Sequence, residues 1–333
     1  MAKAEDFSHI PIIDVRDLVA GTAGMNEVAR QIGEACRASG FFYVVGHGVS
    51  EGLQRRIQDL SREFFALDVE TNMRIRMALG GRAWRGYFRV GDELTSGKPD
   101  QKEGLYFGTE LPADDPLVKA GTPLYGPNLF PENPAGLRDT VLEYMSGLTR
   151  LGHSLMAGIA LSLGLDEHYF ADRYTREPLI LFRIFNYPPP RDPALWGVGE
   201  HTDYGLLTIL LQDDAGGLEV RSRSTWVAAP PVPNSFVCNI GDMLDLMTRG
   251  LYRSTPHRVR NPAPRDRLSF PFFFDPNFFA EVAPIELPRG VAPPDDAAER
   301  WDRTSVHAFC GTYGDYLLSK VGKVFPALRV KVM

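Results

Sequence analysis

Cysteine is scarce: the 333-residue chain carries three, Cys36, Cys238 and Cys310, far apart and in no CxxC pair. That excludes a disulfide scaffold and a zinc knuckle, and an odd count in a chain this long fits buried free thiols in a reducing compartment. Basic charge is not in surplus either, since 36 Lys and Arg stand against 42 Asp and Glu, for a net charge of −6. Without a long Lys/Arg run there is no concentrated basic face, which excludes a nucleic acid as the main partner. No stretch approaches the roughly 18 consecutive apolar residues of a membrane span. Leu206 to Leu211 falls far short and reads as a buried strand. The first residues carry Lys3, Glu5 and Asp6 where a secretory signal has its apolar run, so the expected location is cytoplasmic. Several catalytic motifs are also missing: the phosphate-binding loop ending in Lys-Ser or Lys-Thr, His-Glu-x-x-His, and Gly-x-Ser-x-Gly. Gly197, Val198 and Gly199 begin like a dinucleotide fingerprint, but the third glycine position is Thr202 and the setting is not a strand-to-helix turn.

What is present is core-forming material. Hydrophobic residues make up 44% of the chain and charged ones 23%, enough for a large core in one big domain or two. Val28, Ile32, Ala35 and Cys36 share a helical face, Gly40 stops that helix, and Phe41 to Val45 reads as a strand. His47 between two glycines reads as a turn histidine. Leu53, Ile57, Leu60 and Phe64 repeat the helical spacing, and Leu137 to Ile159 traces a long helix on which His153 packs. Residues 74–134 are rich in Gly, Pro and charge and predict loops and short strands. Arg85, Gly86, Tyr87 and the loop from Lys98 to Phe107 could face a substrate. After Pro178, short β-rich runs follow at close spacing, among them Ile180–Phe185, Leu206–Leu211, Ser235–Ile240, His257–Val259 and Leu268–Phe274. Many short strands punctuated by Gly and Pro indicate a sandwich or barrel. A helix over Thr304 to Lys320 closes the pattern, and Asp242 is expected to cap a strand-to-helix junction.

The chemistry-bearing residues lie in this second half. His201 and Asp203 are two apart, so on a strand they share a face. His-x-Asp alone occurs often by chance. His257, on a strand that can return beside the first, adds a second imidazole. Two imidazoles and a carboxylate leave three open positions, the facial set suited to non-haem Fe(II), with zinc as the competing ion. Arg267 and Ser269 share a strand face ten residues further on, where a guanidinium fork and a hydroxyl can hold one carboxylate. Tyr187, ahead of Pro188-Pro189-Pro190, can supply another hydroxyl. A surface salt bridge is the bland reading of Arg267, worth about 0–1 kcal/mol.

These residues, in this order and spacing, strongly resemble the isopenicillin N synthase-like branch of the Fe(II)/2-oxoglutarate-dependent dioxygenases. The likeness runs over nearly the whole chain: Ile10 to Asp14, Gly40 to Val49, Arg183 to Pro189, and the His-Thr-Asp-Tyr-Gly-Leu-Leu-Thr run from His201. It continues through Gly217 to Val220, Asn239 to Asp242, Ser254 to Val259 and Arg267 to Ser269. The resemblance implies a mixed α and β fold built on a distorted double-stranded β-helix, a cupin-like jelly roll flanked by helices. It also implies an N-terminal module over 1–120 and a catalytic core with a C-terminal helix over 121–333, in one compact unit. His201, Asp203 and His257 match the iron ligands. Arg267 and Ser269 match the pair that grips the distal carboxylate of 2-oxoglutarate, and Tyr187 the tyrosine that assists them. The implied reaction uses Fe(II), 2-oxoglutarate and O2, couples decarboxylation to succinate and CO2 with oxidation of a small molecule, and most often ends in hydroxylation. Many plant members have Asn-Tyr-Tyr-Pro where this chain has Phe185, Asn186, Tyr187 and Pro188, so Asn186 takes no role from the resemblance.

Three rivals stand beside this reading. Isopenicillin N synthase and the aminocyclopropane carboxylate oxidases share the triad and Arg-x-Ser but use no 2-oxoglutarate. Ethylene-forming enzymes look similar around His201, though the short Val220 to Trp226 connection lacks the insertion associated with them. From a different class comes a cupin-like binding protein without turnover, against which the full ligand set and anion pair argue. Neither the substrate nor the oligomeric state follows from the sequence.

Overall fold

The computed structural model describes residues 6–95, 97–190, 195–287 and 304–324. Its strands are β1 (Ile12–Asp14), β2 (Phe41–Val45), β3 (Gly86–Phe88), β4 (Leu94–Thr95), β5 (Lys98–Pro99), β6 (Glu103–Gly108), β7 (Leu179–Tyr187) and β8 (Val198–His201). They continue with β9 (Leu207–Gln212), β10 (Leu218–Arg221), β11 (Trp226–Ala228), β12 (Phe236–Ile240), β13 (His257–Val259), β14 (Arg267–Asp275), β15 (Glu281–Val282) and β16 (Gly311–Thr312). The major sheet has eight strands in the order β1-β2-β12-β9-β14-β7-β6-β3, and a smaller four-stranded sheet runs β11-β10-β13-β8. All pairs in both sheets are antiparallel except β1 with β2. Together they form the distorted double-stranded β-helix that the resemblance implies.

Strand alternation sorts the residues of the major sheet. On β14, Phe270, Phe272 and Phe274 are fully buried on the outer face, while Ser269, Pro271, Phe273 and Asp275 line a cavity between the sheets. On β7, Leu181, Arg183, Phe185 and Tyr187 face the same cavity. A helical layer covers the outer face. Its members are α1 (Arg16–Ala20), α2 (Met25–Ala38), α3 (Glu51–Phe65) and α6 (Leu137–Ser162), while α4 (Val69–Asn72) and α5 (Pro116–Lys119) are single turns in the connections between them. Helix α3 starts where the Ser50 side chain accepts a hydrogen bond from the Leu53 amide. Helix α6 follows Gly136, whose φ of 84° belongs to the left-handed region, and buries Leu137, Val141, Tyr144, Leu148, Leu151, Leu155 and Ile159. Gly152 lets α6 approach the sheet: a Cβ there would sit 2.4 Å from Phe274 Cδ2. The His153 ring packs edge-on against Phe274, as its helical position predicts.

The later helices are α7 (Tyr169–Arg173), α8 (Asp242–Met247) and α9 (Tyr313–Val324). Three expectations need correcting here. The C-terminal helix starts at Tyr313, not Thr304: a 3-10 turn at Val306–Ala308 and the β15–β16 pairing take the intervening residues. The Asp315 carboxylate, accepting from the Thr312 amide and hydroxyl, starts the helix. Asp242 is the first residue of α8, whose N-cap is Gly241; its carboxylate accepts a hydrogen bond from the Tyr316 hydroxyl and ties α9 to the barrel. Cys310 is exposed, whereas Cys36 and Cys238 are buried free thiols. Among the described residues no helix is long and apolar enough to cross a membrane.

Candidate functional site

His201 ends β8 and His257 begins β13, and the two strands pair with these residues directly opposite each other. Their ring centroids are 4.2 Å apart. Asp203 lies in the coil after β8, so strand alternation is not what brings it to His201. The backbone turns there, with the Asp203 carbonyl accepting from the Asp242 amide. Asp203 Oδ1 then stands 3.9 Å from His201 Nε2 and 3.7 Å from His257 Nε2. One ligand atom from each of the three residues lies within 4.8 Å of the others.

Each side chain is held by groups that keep those atoms free. His201 Nδ1 faces the Gly199 carbonyl at 2.8 Å and His257 Nδ1 the Thr255 carbonyl at 3.2 Å. A carbonyl requires Nδ1–H as donor, which leaves the lone pair on Nε2 toward the other two ligands. Asp203 Oδ2 accepts from Thr208 Oγ1 and, at 2.7 Å, from Asn239 Nδ2, so Oδ1 alone turns inward. Burial first, and then His257 nearby, push the His201 imidazole down to about 3, so it is neutral and able to ligate at neutral pH. Burial would raise the Asp203 carboxyl, but the adjoining histidines and the Asn239 and Thr208 hydrogen bonds hold it below the usual carboxylate range. Two imidazoles and one carboxylate on one face fit Fe(II) with open positions for other ligands. Asn239 and Thr208 were not predicted as site residues, although Asn239 opens the Asn-Ile-Gly-Asp run and Thr208 closes the His-Thr-Asp-Tyr-Gly-Leu-Leu-Thr run.

Arg267 lies opposite Tyr187 across β14 and β7. Its side chain is fully buried, Nε donates to the Gly216 carbonyl, and the Tyr187 ring sits 4.8 Å from the guanidinium carbon. Both Nη1 and Nη2 are buried with no hydrogen-bond partner. An enclosed cation with four N–H donors unmatched is costly unless an anion meets it. Tyr187 and Ser269 line the cavity directly, with Arg267 behind them. This is the arrangement expected of a carboxylate pocket, and the surface-salt-bridge reading fails on burial alone.

The cavity measures about 360 Å³, at the small end for ligand sites. Beyond the triad it is lined by Glu93, Lys102, Tyr106 and Arg183, none singled out individually from sequence. Lys102 lies 3.0 Å from Glu93 and also pairs with Asp100. Burial opposes the Lys102 charge, yet the two carboxylates more than offset it; burial likewise pushes Asp100 up to about 6 against the pull of Lys102. Of the loops expected to face a substrate, the Lys98 to Phe107 segment lines the cavity through Lys102 and Tyr106. Arg85 and Tyr87 turn away, to the Leu124 carbonyl and to Glu103. His47 is a turn histidine bonded to Asn234 and Val49. His307, which had no partner in sequence, sits 3.2 Å from Asp245. Asn186 donates to Glu103 and Asp266, a purely structural role.

Comparison with known proteins agrees with this geometry. A family model described as the N-terminal region of non-haem dioxygenases in morphine synthesis matches residues 10–133, and the 2OG-Fe(II) oxygenase superfamily model matches residues 176–276. A probable iron/ascorbate oxidoreductase of Dictyostelium discoideum is 51% identical over 97% of both chains. A 1-aminocyclopropane-1-carboxylate oxidase of the same organism is 38% identical over 96% of both. A full-length Neurospora crassa protein solved in complex with alpha-KG superposes with a TM-score of 0.78 at 26% identity, covering 97% of this chain and 100% of that one. The chain therefore belongs to the Fe(II)/2-oxoglutarate-dependent dioxygenases and is a non-haem oxygenase that uses Fe(II), 2-oxoglutarate and O2.

Proposed function

We propose that His201, Asp203 and His257 hold the Fe(II), and that Arg267, with Ser269 and Tyr187, grips the distal carboxylate of 2-oxoglutarate. When bound, the metal activates O2, so that decarboxylation to succinate and CO2 is coupled to oxidation, most simply hydroxylation, of a small organic substrate. The protein's own residues position and enclose. The Gly199 and Thr255 carbonyls aim the two imidazoles; Asn239 and Thr208 aim Asp203 Oδ1; Leu210, Leu218, Val198, Val259 and Leu317 supply apolar walls that exclude water. The observation that carries the cosubstrate assignment is the pair of unpartnered Arg267 nitrogens beside Ser269. Residues 1–120 and 121–333 act as one unit in this reading, supported by β1, β2, β3 and β6 sharing a sheet with β7, β9, β12 and β14. The buried free thiols Cys36 and Cys238 support a cytoplasmic location.

The test is anaerobic reconstitution with Fe(II), following the visible metal-to-ligand charge-transfer band as 2-oxoglutarate is added and assaying succinate once O2 is admitted. The expected result is a band that requires His257, followed by succinate. Iron binding without a band would point instead to a keto-acid-independent oxidase. Absence of specific Fe(II) binding would leave a ligand-binding protein.

A further inference from the structure

Four charged residues lining the cavity, Arg183, Glu93, Lys102 and Asp275, remain unused by iron and cosubstrate, and two of them lack a full set of partners. The first is Arg183, 6% exposed, in the middle of β7. Its Nη1 donates only weakly placed bonds, 3.3 Å to the Phe107 and Phe182 carbonyls, and its guanidinium carbon lies 3.5 Å from the centre of the Tyr106 ring. No carboxylate among the described residues comes within ion-pair distance of it. The second is Glu93, 7% exposed, whose Oε1 accepts from the Tyr106 hydroxyl at 2.6 Å. Its Oε2 is buried without a hydrogen bond, although Lys102 Nζ stands 3.0 Å away. That ammonium is shared with Asp100, so the three-residue group carries one surplus negative charge. A buried guanidinium in no direct ion pair, which feels Glu93 and Asp275 only at longer range, and a buried carboxylate with one oxygen lacking a hydrogen bond therefore flank a single phenol side chain.

The Arg183 backbone lies well away from the Arg267 anchor. Arg267 pairs with Tyr187, while Arg183 pairs with Tyr106 four residues further along β7, about 13 Å away at 3.3 Å per residue. A five-carbon diacid is shorter than that. Building on the dioxygenase reading above, we propose that the primary substrate is a small free amino acid, its carboxylate held by Arg183 and its amine nitrogen by Glu93. A guanidinium fork matches a carboxylate in shape and charge, and Tyr106 fixes the spacing between the two poles of the zwitterion. A hydrocarbon or an uncharged aromatic would leave both poles desolvated and unmatched, so the cavity discriminates against it.

The experiment uses anaerobic protein loaded with Fe(II) and 2-oxoglutarate. The twenty common L-amino acids, each with its methyl ester and N-acetyl derivative, are titrated by calorimetry. At least one free amino acid should bind about ten- to a hundredfold more tightly than either of its derivatives, the loss expected when one charge-assisted bond is removed. Arg183→Gln should abolish the preference over the ester, and Arg183→Lys should restore part of it. Glu93→Gln should abolish the preference over the N-acetyl form. Equal binding of acids and esters, or no binding by any member of the panel, would overturn the inference. Loss of 2-oxoglutarate affinity in Arg183→Gln would also overturn it, by assigning that residue to the cosubstrate. Succinate release from 2-oxoglutarate alone is measured in parallel on the wild type: if it persists while the panel fails, the substrate assignment falls and the dioxygenase reading stands, whereas its absence together with loss of 2-oxoglutarate binding removes the underlying reading.

Discussion

Replacing Arg267 by Met separates a residue that binds ligand from one that merely fills space. In the ligand-free protein the guanidinium makes one good hydrogen bond, to the Gly216 carbonyl, and leaves Nη1 and Nη2 unpaired. Stranding that carbonyl costs about 1–3 kcal/mol, and removing the unpaired buried donors returns a similar amount. The stability of the ligand-free variant should therefore stay within about 2 kcal/mol of wild type. Cosubstrate binding behaves differently, because a carboxylate meeting both nitrogens forms two charge-assisted bonds of about 1.5–3 kcal/mol each. Their loss raises the 2-oxoglutarate Kd about 100- to 10,000-fold at roughly 1.4 kcal/mol per tenfold. Calorimetric unfolding with Fe(II) under nitrogen reads both effects. At 2-oxoglutarate equal to about 100 times the wild-type Kd, wild type gains about 2.7 kcal/mol, or roughly 5 °C in Tm, whereas Arg267→Met gains less than about 1 °C. A variant that keeps most of the 5 °C gain would refute the carboxylate pocket. A collapse of the ligand-free fold would refute the balance drawn for the buried guanidinium.

Other substitutions test different links. Asn239→Ala frees Asp203 Oδ2 from its amide partner, and Fe(II) affinity, measured by anaerobic titration, should fall about 10- to 100-fold while the fold survives. Burial, opposed by the Tyr313 hydroxyl, pushes the Asp275 carboxyl up to about 7. A carboxyl raised in the folded state favours folding most below its unfolded value near 4, so its contribution is lost as pH rises from about 4 to 7. Asp275→Asn should flatten the pH dependence of denaturant midpoints across that window; an unchanged slope would count against a buried titrating carboxyl. Gly152→Ala places a Cβ 2.4 Å from Phe274 and should destabilise by about 1–3 kcal/mol through overpacking, read as a lower urea midpoint at unchanged slope.

How far the sequence reached depended on whether a property is periodic or assembled. Helices α2, α3 and α6 and the alternation along β14 were legible because burial imposes a period on a single stretch of chain. The order and spacing of His201, Asp203, His257, Arg267 and Ser269 carried the site through its resemblance to a family. The reason given for His201 and Asp203 converging was wrong in detail, since Asp203 lies past the strand and is steered by Asn239, 36 residues away. The C-terminal helix was drawn too long because the spacing of Tyr313, Tyr316 and Leu317 was extended back to Thr304, while Gly311 and the β15–β16 pairing act at a distance in sequence. Glu93, Lys102 and Arg183 could not be singled out, because a charged residue in a loop or strand announces itself as solvated until the tertiary structure buries it beside a particular partner.

The sheet order also says when this protein can become an enzyme. Strand β2 takes its antiparallel partner from β12, with Val44 opposite Phe236, and Phe41 of β2 sets its ring edge-on 5.3 Å from His257. During synthesis the first 45 residues therefore emerge with a hydrophobic strand whose antiparallel partner has yet to be translated, and the last residue of the proposed metal triad is later still. Contacts of such long sequence separation are slow to form and leave strand edges open to other chains in the meantime. With the proposed ligand set, iron enters only a nearly finished polypeptide. Slowed elongation between Val45 and Phe236, or overexpression that crowds nascent chains together, should cost soluble yield before it costs metal content per folded molecule.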